Sequence, residues 1–372
     1  MMWVHGLVAK SVQPRGALVL AMCLSAMCLS TTACGSAGVV DKTGGGVLEL
    51  HFATIDNLDP NGQSVAPEVF IDSVERMSDG RLQVTVEDNF ENGAVSAETD
   101  IVKAIADGRI DGGWPSTRAF SRAGIRGLEP VEAPFVVTSY AAEAALATGP
   151  EAATLLGTLE GSGIVGLGLS VGPLRRPFAL TRPLIEVPIW RGITFRSFNS
   201  PVQEDVIRAL GAEPVPASFG FPELVTSGSL EGVEMDLAQY EHSAYGDLLP
   251  DVAANVVLWP KMPVLAISRD TFDALTAEQQ AWLVQAAHLA VRASVNFDYD
   301  DSSLARRLCP WGVRFVDAAP EQMAALRRAV QPVIDAMAAD PSTAPSLAAV
   351  ERAVAGHTEA DALDVPVSCG RP

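Results

Sequence analysis

Apolar residues along this chain switch repeatedly between strand-like and helix-like spacing. Leu48, Leu50 and Phe52 alternate with polar residues, which predicts a strand with one buried face. Apolar residues then recur three and four positions apart until Gly80, which predicts a helix that ends at a glycine. Alternation returns at residues 82–86, and the order continues as β-α-β-α-β. This order predicts a parallel sheet covered by helices.

A second α/β unit follows the break at Gly172-Pro173. Residues 193–198 predict a strand, residues 201–210 a helix ending at Gly211, and residues 255–259 and 264–268 two further strands. Thr276–Leu308 is predicted as one long helix and residues 320–337 as an amphipathic helix. Two α/β units joined by more than one crossing indicate a hinged, two-lobed binding protein with its ligand between the lobes.

The predicted organisation divides the chain into five parts. They are a signal peptide at 1–33, a lipid-anchor tether at 34–46, lobe I at 47–170 plus about 258–290, lobe II at 171–257 plus about 291–355, and a C-terminal tail at 356–372. About 150 residues per domain is the usual scale, so two domains fit this length.

The first residues are typical of an exported protein. Lys10 and Arg15 precede a short apolar run, as in a secretory signal, and small residues stand before Cys34. Cys34 is therefore a candidate for acylation in a bacterial lipobox, although Thr31 occupies the position where Leu is preferred. Two alternatives stay open, namely an uncleaved signal anchor and an ordinary signal with a chance cysteine. The predicted location is the outer face of the cell membrane, attached by the lipid alone.

Charge and cysteine content narrow the possible partners. The formal net charge is −19, and removal of Lys10 and Arg15 with the leader makes the remainder still more acidic. Nucleic acid is excluded as a partner because phosphates require a basic surface. Cys309 and Cys369 are a possible disulfide pair, which export permits but sequence alone does not settle. No cysteine or histidine spacing indicates a metal site.

Most of the chain after the tether resembles the solute-binding proteins of TRAP transporters, the DctP-type family. The segments that carry the resemblance are Asp111-Gly112-Gly113-Trp114, Glu132-Ala133-Pro134-Phe135, residues 172–177, residues 190–196, residues 201–216 and Ser229-Leu230-Glu231-Gly232-Val233-Glu234. Glu231 stands where the family usually has Asp, and Met235 where Asn is frequent. The resemblance implies a periplasmic-binding-protein-like α/β fold, with mixed sheets flanked by helices, hinge crossings and a long C-terminal helix. It also implies a TRAP membrane subunit as partner and a small organic acid as ligand.

The resemblance gives Arg196 the role of the arginine that binds the ligand carboxylate. A guanidinium forms two parallel charge-assisted hydrogen bonds with a carboxylate, which suits this role. Arg175 or Arg176 is a second candidate at the lobe junction, with Arg175 favoured by spacing; a hinge salt bridge is the alternative. Further candidate contacts are Trp114, Arg118, Phe219, Glu234 and Asn57. Trp114 and Phe219 are equally compatible with core positions, and Glu234 with a structural acid beneath the site.

The sequence does not indicate an enzyme. It contains no Gly-x-Ser-x-Gly, Walker or His-Glu-x-x-His motif, and its histidines are scattered. We expect no catalytic residues, no cofactor and a monomer. Two alternatives remain: a secreted lipoprotein hydrolase whose triad forms only in space, and a ligand-sensing receptor lipoprotein without transport.

Overall fold

Two β-sheets, each covered by helices, divide the chain into two lobes. The computed structural model describes residues 46–56, 58, 65–243, 245, 248–357 and 360–370. The predicted signal peptide, Cys34 with nearly all of the predicted tether, and Asn57 lie outside the described residues.

The strands follow one another from the first lobe into the second and back. In chain order they are β1 Leu48–Ala53, β2 Leu82–Glu87, β3 Gly112–Gly113, β4 Ile164–Leu169, β5 Leu174–Ala179, β6 Thr194–Ser197, β7 Glu213–Pro216, β8 Gly232–Met235, β9 Asp251–Ala253, β10 Trp259–Pro260, β11 Val264–Ser268 and β12 Arg314–Val316. The strand predicted at residues 255–259 is therefore wrong: residues 251–253 and 259–260 pair instead.

Helices lie between most of these strands. They are α1 Val65–Met77, α2 Ala97–Ala106, α3 Tyr140–Thr148, α4 Glu151–Gly157, α5 Val187–Trp190, α6 Pro201–Leu210, α7 Phe221–Thr226, α8 Leu237–His242, α9 Arg269–Ala274, α10 Ala277–Val295, α11 Asp301–Leu308, α12 Pro320–Ala339 and α13 Ala344–Val354. Among the described residues, none of these helices combines the length and the apolar character that crossing a membrane requires.

Each lobe contains a mixed sheet. Lobe I has the strand order β2-β1-β3-β11-β4, in which β1 pairs in parallel with β2 and β3 while β11 runs antiparallel. Lobe II has the order β12-β9-β5-β8-β6-β7, with β10 added beside β5. Strand β11 returns to lobe I after the excursion through lobe II. The predicted two-lobed α/β fold is confirmed.

The helix predicted over Thr276–Leu308 is two helices. Helix α10 ends at Val295 and packs on α1 in lobe I, whereas α11 begins at Asp301 and packs on α8 in lobe II. The intervening segment contains Asn296, Asp298 and Asp300, and the Asp300 carboxylate caps α11 by accepting a hydrogen bond from Ser303 N at 2.8 Å. Side chains that bond to nearby backbone favour caps over helix interiors. The break carries the chain from one lobe to the other.

Helix α13 packs against α3 and α4 of lobe I, although the sequence division placed its residues with lobe II. Its Val350 and Val354 join the apolar core that contains α2 and β4. The pattern of a short helix does not identify the lobe it covers, because its apolar face fits either core.

The C-terminal tail is anchored to both lobes. Cys309 and Cys369 are joined by a disulfide, and Arg306 donates a hydrogen bond to Asp364 O at 2.8 Å in lobe II. On the lobe I side, Tyr140 N donates to the Asp361 carboxylate at 2.8 Å at the start of α3. The described part of the tail therefore crosses the junction between the lobes.

Candidate functional site

Charged side chains of lobe II gather at one edge of its sheet. Strands β6 and β8 run parallel, and Arg196 and Glu234 lie near their carboxyl ends. Strand β5 runs antiparallel to β8, so Arg175 near its amino end reaches the same edge. Ligands of open α/β sheets bind outside the carboxyl ends of the strands. The sheet topology thus brings together three residues that are distant in sequence.

Glu234 is shared by the two arginines. Its carboxylate accepts from Arg175 Nε and, at 3.1 Å, from Arg196 Nη2, which also bonds to the Glu234 carbonyl oxygen. All three side chains are almost fully buried. Burial by itself would raise the pKa of Glu234, but the charges of Arg175 and Arg196 outweigh it and lower the pKa. Glu234 is therefore held as the anion.

Arg196 is the least compensated cation of this group. It is 1% exposed, and its Nε has no hydrogen-bond acceptor within the described residues. Burial, together with repulsion from Arg175 and Arg118, lowers the pKa of Arg196 to about 10 despite the attraction of Glu234. A buried charge with an unused donor leaves free energy to be gained from an anion.

Lobe I contributes a third buried arginine. Glu98, in the first turn of α2, accepts from Arg118 Nε at 2.7 Å and from Ser116 N at 2.9 Å. Arg118 is 4% exposed and lies just beyond the end of β3, in a short 3₁₀ turn. Its guanidinium carbon is 3.7 Å from the centroid of the Phe198 ring, which belongs to lobe II. Arg118 therefore stands where the two lobes meet.

Aromatic rings of lobe II surround the arginines. Arg196 lies 5.4 Å from the Phe198 centroid and 4.7 Å from that of Phe221. Phe219 meets Phe198 edge to face at 6.3 Å and touches lobe I at Gly93, where a Cβ atom would collide with the ring. Phe198 itself packs into the core of lobe I. The lobes are closed on each other around this cluster.

A second ion pair lies at the same junction. Lys261 Nζ donates to both oxygens of Asp56 at 2.7 and 2.8 Å. Burial would raise the pKa of Asp56, but Lys261, with smaller effects from Arg118 and Arg175, lowers it. Asp56 thus lies within the field of the arginine cluster and remains ionised.

The structure brings Arg175, Arg196, Glu234, Arg118 and Phe219 together, as sequence reasoning proposed for the ligand site. It separates Trp114, which packs in the core of lobe I with ring centroids 5.2 Å from Phe52 and 6.0 Å from Phe70. Its indole lies on the face of the lobe I sheet that carries Phe52 and packs against α1 and α10. Phe198, Glu98, Asp236 and Lys261 were missed, because no local motif marks them.

Arg176 lies away from this cluster, at the hinge. It bonds to Asp301 at 2.6 Å and to Ala254 O at 3.0 Å, and Asp301 also accepts from the Tyr140 hydroxyl at 3.0 Å. Tyr140 belongs to lobe I and Asp301 to the segment that enters lobe II. Adjacent residues of a strand point to opposite faces, so Arg175 faces the cleft while Arg176 faces the hinge.

Glu132 of lobe I forms a separate hydrogen-bonded contact with lobe II. Its carboxylate accepts from Ser200 Oγ at 2.8 Å and from Gln203 Nε2 at 2.6 Å, both at the start of α6. It is 1% exposed. Burial raises the pKa of Glu132 to about 7, although the bonds from Ser200 and Gln203 act to lower it.

We expect this carboxyl to make stability fall as pH rises. A pKa above the ordinary value of 4.5 means that the folded protein holds a proton the unfolded chain has lost. The contribution of this carboxyl to the free energy of unfolding is therefore fully present below about pH 4.5 and is lost as the pH rises through about 7. Glu132→Gln should remove this decline and stabilise the protein at pH 8 by on the order of 3 kcal/mol. Urea unfolding of both proteins at pH 5.5 and pH 8 measures the difference; identical pH dependence would contradict the expectation.

Three solved structures are similar to this chain over nearly their whole length. A TRAP periplasmic solute-binding protein from Ralstonia eutropha H16, with bound (S)-2-acetolactate, has 20% sequence identity and a TM-score of 0.73, and the match covers 83% of this chain and 99% of that one. One from Sulfitobacter sp. NAS-14.1, with bound β-D-galacturonate, has 21% identity, a TM-score of 0.72 and coverage of 82% and 100%. The sugar acid binding protein from Advenella mimigardefordensis, in complex with galactonate, has 20% identity, a TM-score of 0.70 and coverage of 83% and 99%.

At these identities the structures establish the fold alone, and a sequence-family comparison supplies the relationship. The family model described as bacterial extracellular solute-binding protein, family 7 (DctP) matches residues 53–340, which is most of the chain. This range includes all of the charged cluster. It also includes every strand of both sheets, apart from most of β1. The chain therefore belongs to the DctP family of bacterial extracellular solute-binding proteins, which bind solutes rather than catalyse reactions.

Proposed function

We propose that this protein captures a small organic acid between its lobes and delivers it to the membrane subunits of a TRAP-type transporter. The single observation that supports this most strongly is Arg196, a fully buried arginine whose Nε has no acceptor within the described residues. A ligand carboxylate would supply the missing acceptor and the missing charge. The related structures with acetolactate, galacturonate and galactonate agree with an organic acid as ligand.

In this proposal Glu234 holds Arg196 in place without binding the ligand. Its carboxylate oxygen and its carbonyl oxygen both accept from Nη2 of Arg196, which fixes one end of the guanidinium. Nε and Nη1 are left as two separate donors, either of which can donate a single hydrogen bond to a carboxylate. Pre-organisation of this kind reduces the entropy that binding must offset. Phe198, Phe219 and Phe221 would exclude water, which strengthens the charge interaction inside the closed cleft.

A binding screen tests the proposal. The compact unit Lys42–Pro372 would be mixed with D-galacturonate, D-glucuronate, D-galactonate and 2-acetolactate, and with D-galactose as an uncharged control. A bound acid should raise the melting temperature with the logarithm of its concentration above Kd, and galactose should not. Isothermal titration calorimetry then gives the affinity. If no acid in a wider panel of sugar acids, keto acids and dicarboxylates shifts the melting temperature, the proposed function is wrong.

We further propose that acylated Cys34 anchors the exported protein to the membrane. The motivation is the basic, then apolar, then small-residue order of the leader that precedes Cys34. In a bacterial host, Cys34→Ser should release the protein from the membrane fraction, while wild type stays bound until detergent is added. Wild type and variant found in the same fraction would argue against the anchor.

A further inference from the structure

The hydrogen-bond donors of Arg175 are occupied by the protein itself. Its Nε bonds to Glu234, its Nη1 to Asp236 and, at 3.4 Å, to Gln239, and its Nη2 to the Glu234 carbonyl oxygen at 3.3 Å. Two carboxylates also compensate its charge. Arg175 therefore has little left to offer a ligand, and its role is to fix Glu234 and the start of α8.

Arg118 and Arg196 differ from Arg175 because each is held at one position only. Arg118 bonds to Glu98 through Nε, and within the described ranges its terminal nitrogens have no further partner. Arg196 bonds to Glu234 through Nη2, which leaves Nε and Nη1 without an acceptor among the same residues. Each guanidinium is thus oriented by an acid. Arg118 keeps its Nη1–Nη2 edge, whereas Arg196 keeps Nε and Nη1 as single donors that do not share an edge.

Both available arginines adjoin the same aromatic ring. Their guanidinium carbons lie 3.7 Å and 5.4 Å from the Phe198 centroid, although Arg118 belongs to lobe I and Arg196 to lobe II. They are also close enough for the charge of Arg118 to contribute to lowering the pKa of Arg196. An anion between two such cations relieves their repulsion and can accept from the free edge of Arg118 and from a single free donor of Arg196.

We propose that Arg118 and Arg196 share one carboxylate of the ligand, and that Arg118 rather than Arg175 is the second ligand-binding arginine. The inference rests on the proposed function and adds the residue through which lobe I recognises the acid. Because the two arginines belong to different lobes, the ligand carboxylate can contact both of them only when the lobes are closed. It also makes Arg118 a determinant of the preference for acids over uncharged analogues.

The test compares Arg118 with a matched arginine of the same lobe. Arg122 also crosses to lobe II, where it bonds to Asn199 O at 2.9 Å and pairs with Glu204, but it lies on the exposed side of the junction. Wild type is first titrated by calorimetry with D-galacturonate, D-glucuronate, D-galactonate and 2-acetolactate. The acid it binds most tightly is then titrated into Arg118→Gln and Arg122→Gln, together with an analogue in which a primary alcohol replaces the carboxylate.

We expect Arg118→Gln to weaken binding of the acid by about tenfold or more, which is the effect of one lost charge-assisted bond. Affinity for the uncharged analogue should change far less, so the preference for the acid should shrink. Arg122→Gln should bind the acid within about threefold of wild type, as expected for a solvent-exposed pair. Equal acid affinity in the two variants would overturn the proposal while leaving the proposed function intact.

Two further outcomes are informative. If Arg118→Gln does not fold, Arg118→Lys decides, because it keeps the charge beside Glu98 and loses only the planar fork. It should weaken acid binding by about threefold to tenfold, and wild-type affinity would overturn the proposal. If wild type binds no acid at all, the proposed function fails, and this inference fails with it.

Discussion

Replacement of Arg196 with alanine is expected to abolish ligand-induced stabilisation of this protein. The side chain is buried, and in the proposed complex it donates a charge-assisted hydrogen bond to the carboxylate in a cleft that excludes water. Loss of a buried, charge-assisted pair costs about 3 kcal/mol or more, which corresponds to roughly a hundredfold or greater loss of affinity. Titration of the best acid from the screen into wild type and variant measures the loss.

Stability without ligand should change little in this variant. Arg175 still neutralises Glu234, and the substitution removes a cation that burial already disfavours. Arg208→Ala is the control, since this arginine is half-exposed and, among the residues that the structure describes, pairs with Glu204 and Asp205 on its own helix. An acid that stabilises the Arg196 variant as strongly as wild type would show that another residue anchors the ligand.

Replacement of Glu234 with glutamine is expected to destabilise the ligand-free protein strongly. The glutamine keeps the volume and one acceptor oxygen but leaves two buried arginines with less compensating charge. Asp236 still pairs with Arg175. The residue that loses most of its compensating charge is therefore Arg196. Breaking a buried ion pair by removing one partner costs about 3–5 kcal/mol. Urea unfolding of the ligand-free domain at neutral pH measures this change.

Asp205→Asn provides the matched control for Glu234. It removes a carboxylate from an ion pair with Arg208 in which both side chains are more than half exposed, so we expect a loss of about 0–1 kcal/mol. If Glu234→Gln unfolds at the same urea concentration as this control, water must reach the two arginines in the ligand-free protein. The lobes would then be open before the ligand binds.

The pattern of apolar residues predicted much of the fold and part of the site. Alternation and helical spacing predicted the order of most strands and helices, whereas the return of β11 to the first sheet depends on its pairing with strands far away in sequence. The resemblance to the DctP family is confirmed by the match over residues 53–340. The main error was the prediction of one helix where the structure has two, α10 and α11. The polar residues between them cap a helix end only because the chain turns there, and the sequence pattern does not show that turn.

Sequence alone predicted an exported-type leader, and it determined an acidic composition and two α/β units, because composition and local periodicity depend only on neighbouring residues. It also indicated that Arg175 and Arg176 point in different directions, although it did not decide which one faces the cleft. Tertiary structure decided this by supplying partners far along the chain: Glu234 and Asp236 for Arg175, and Asp301, 125 positions away, for Arg176. It likewise brought Arg118 to the Phe198 ring. Which guanidinium edges remain free depends on these distant partners, because only folding fixes the distances between charges.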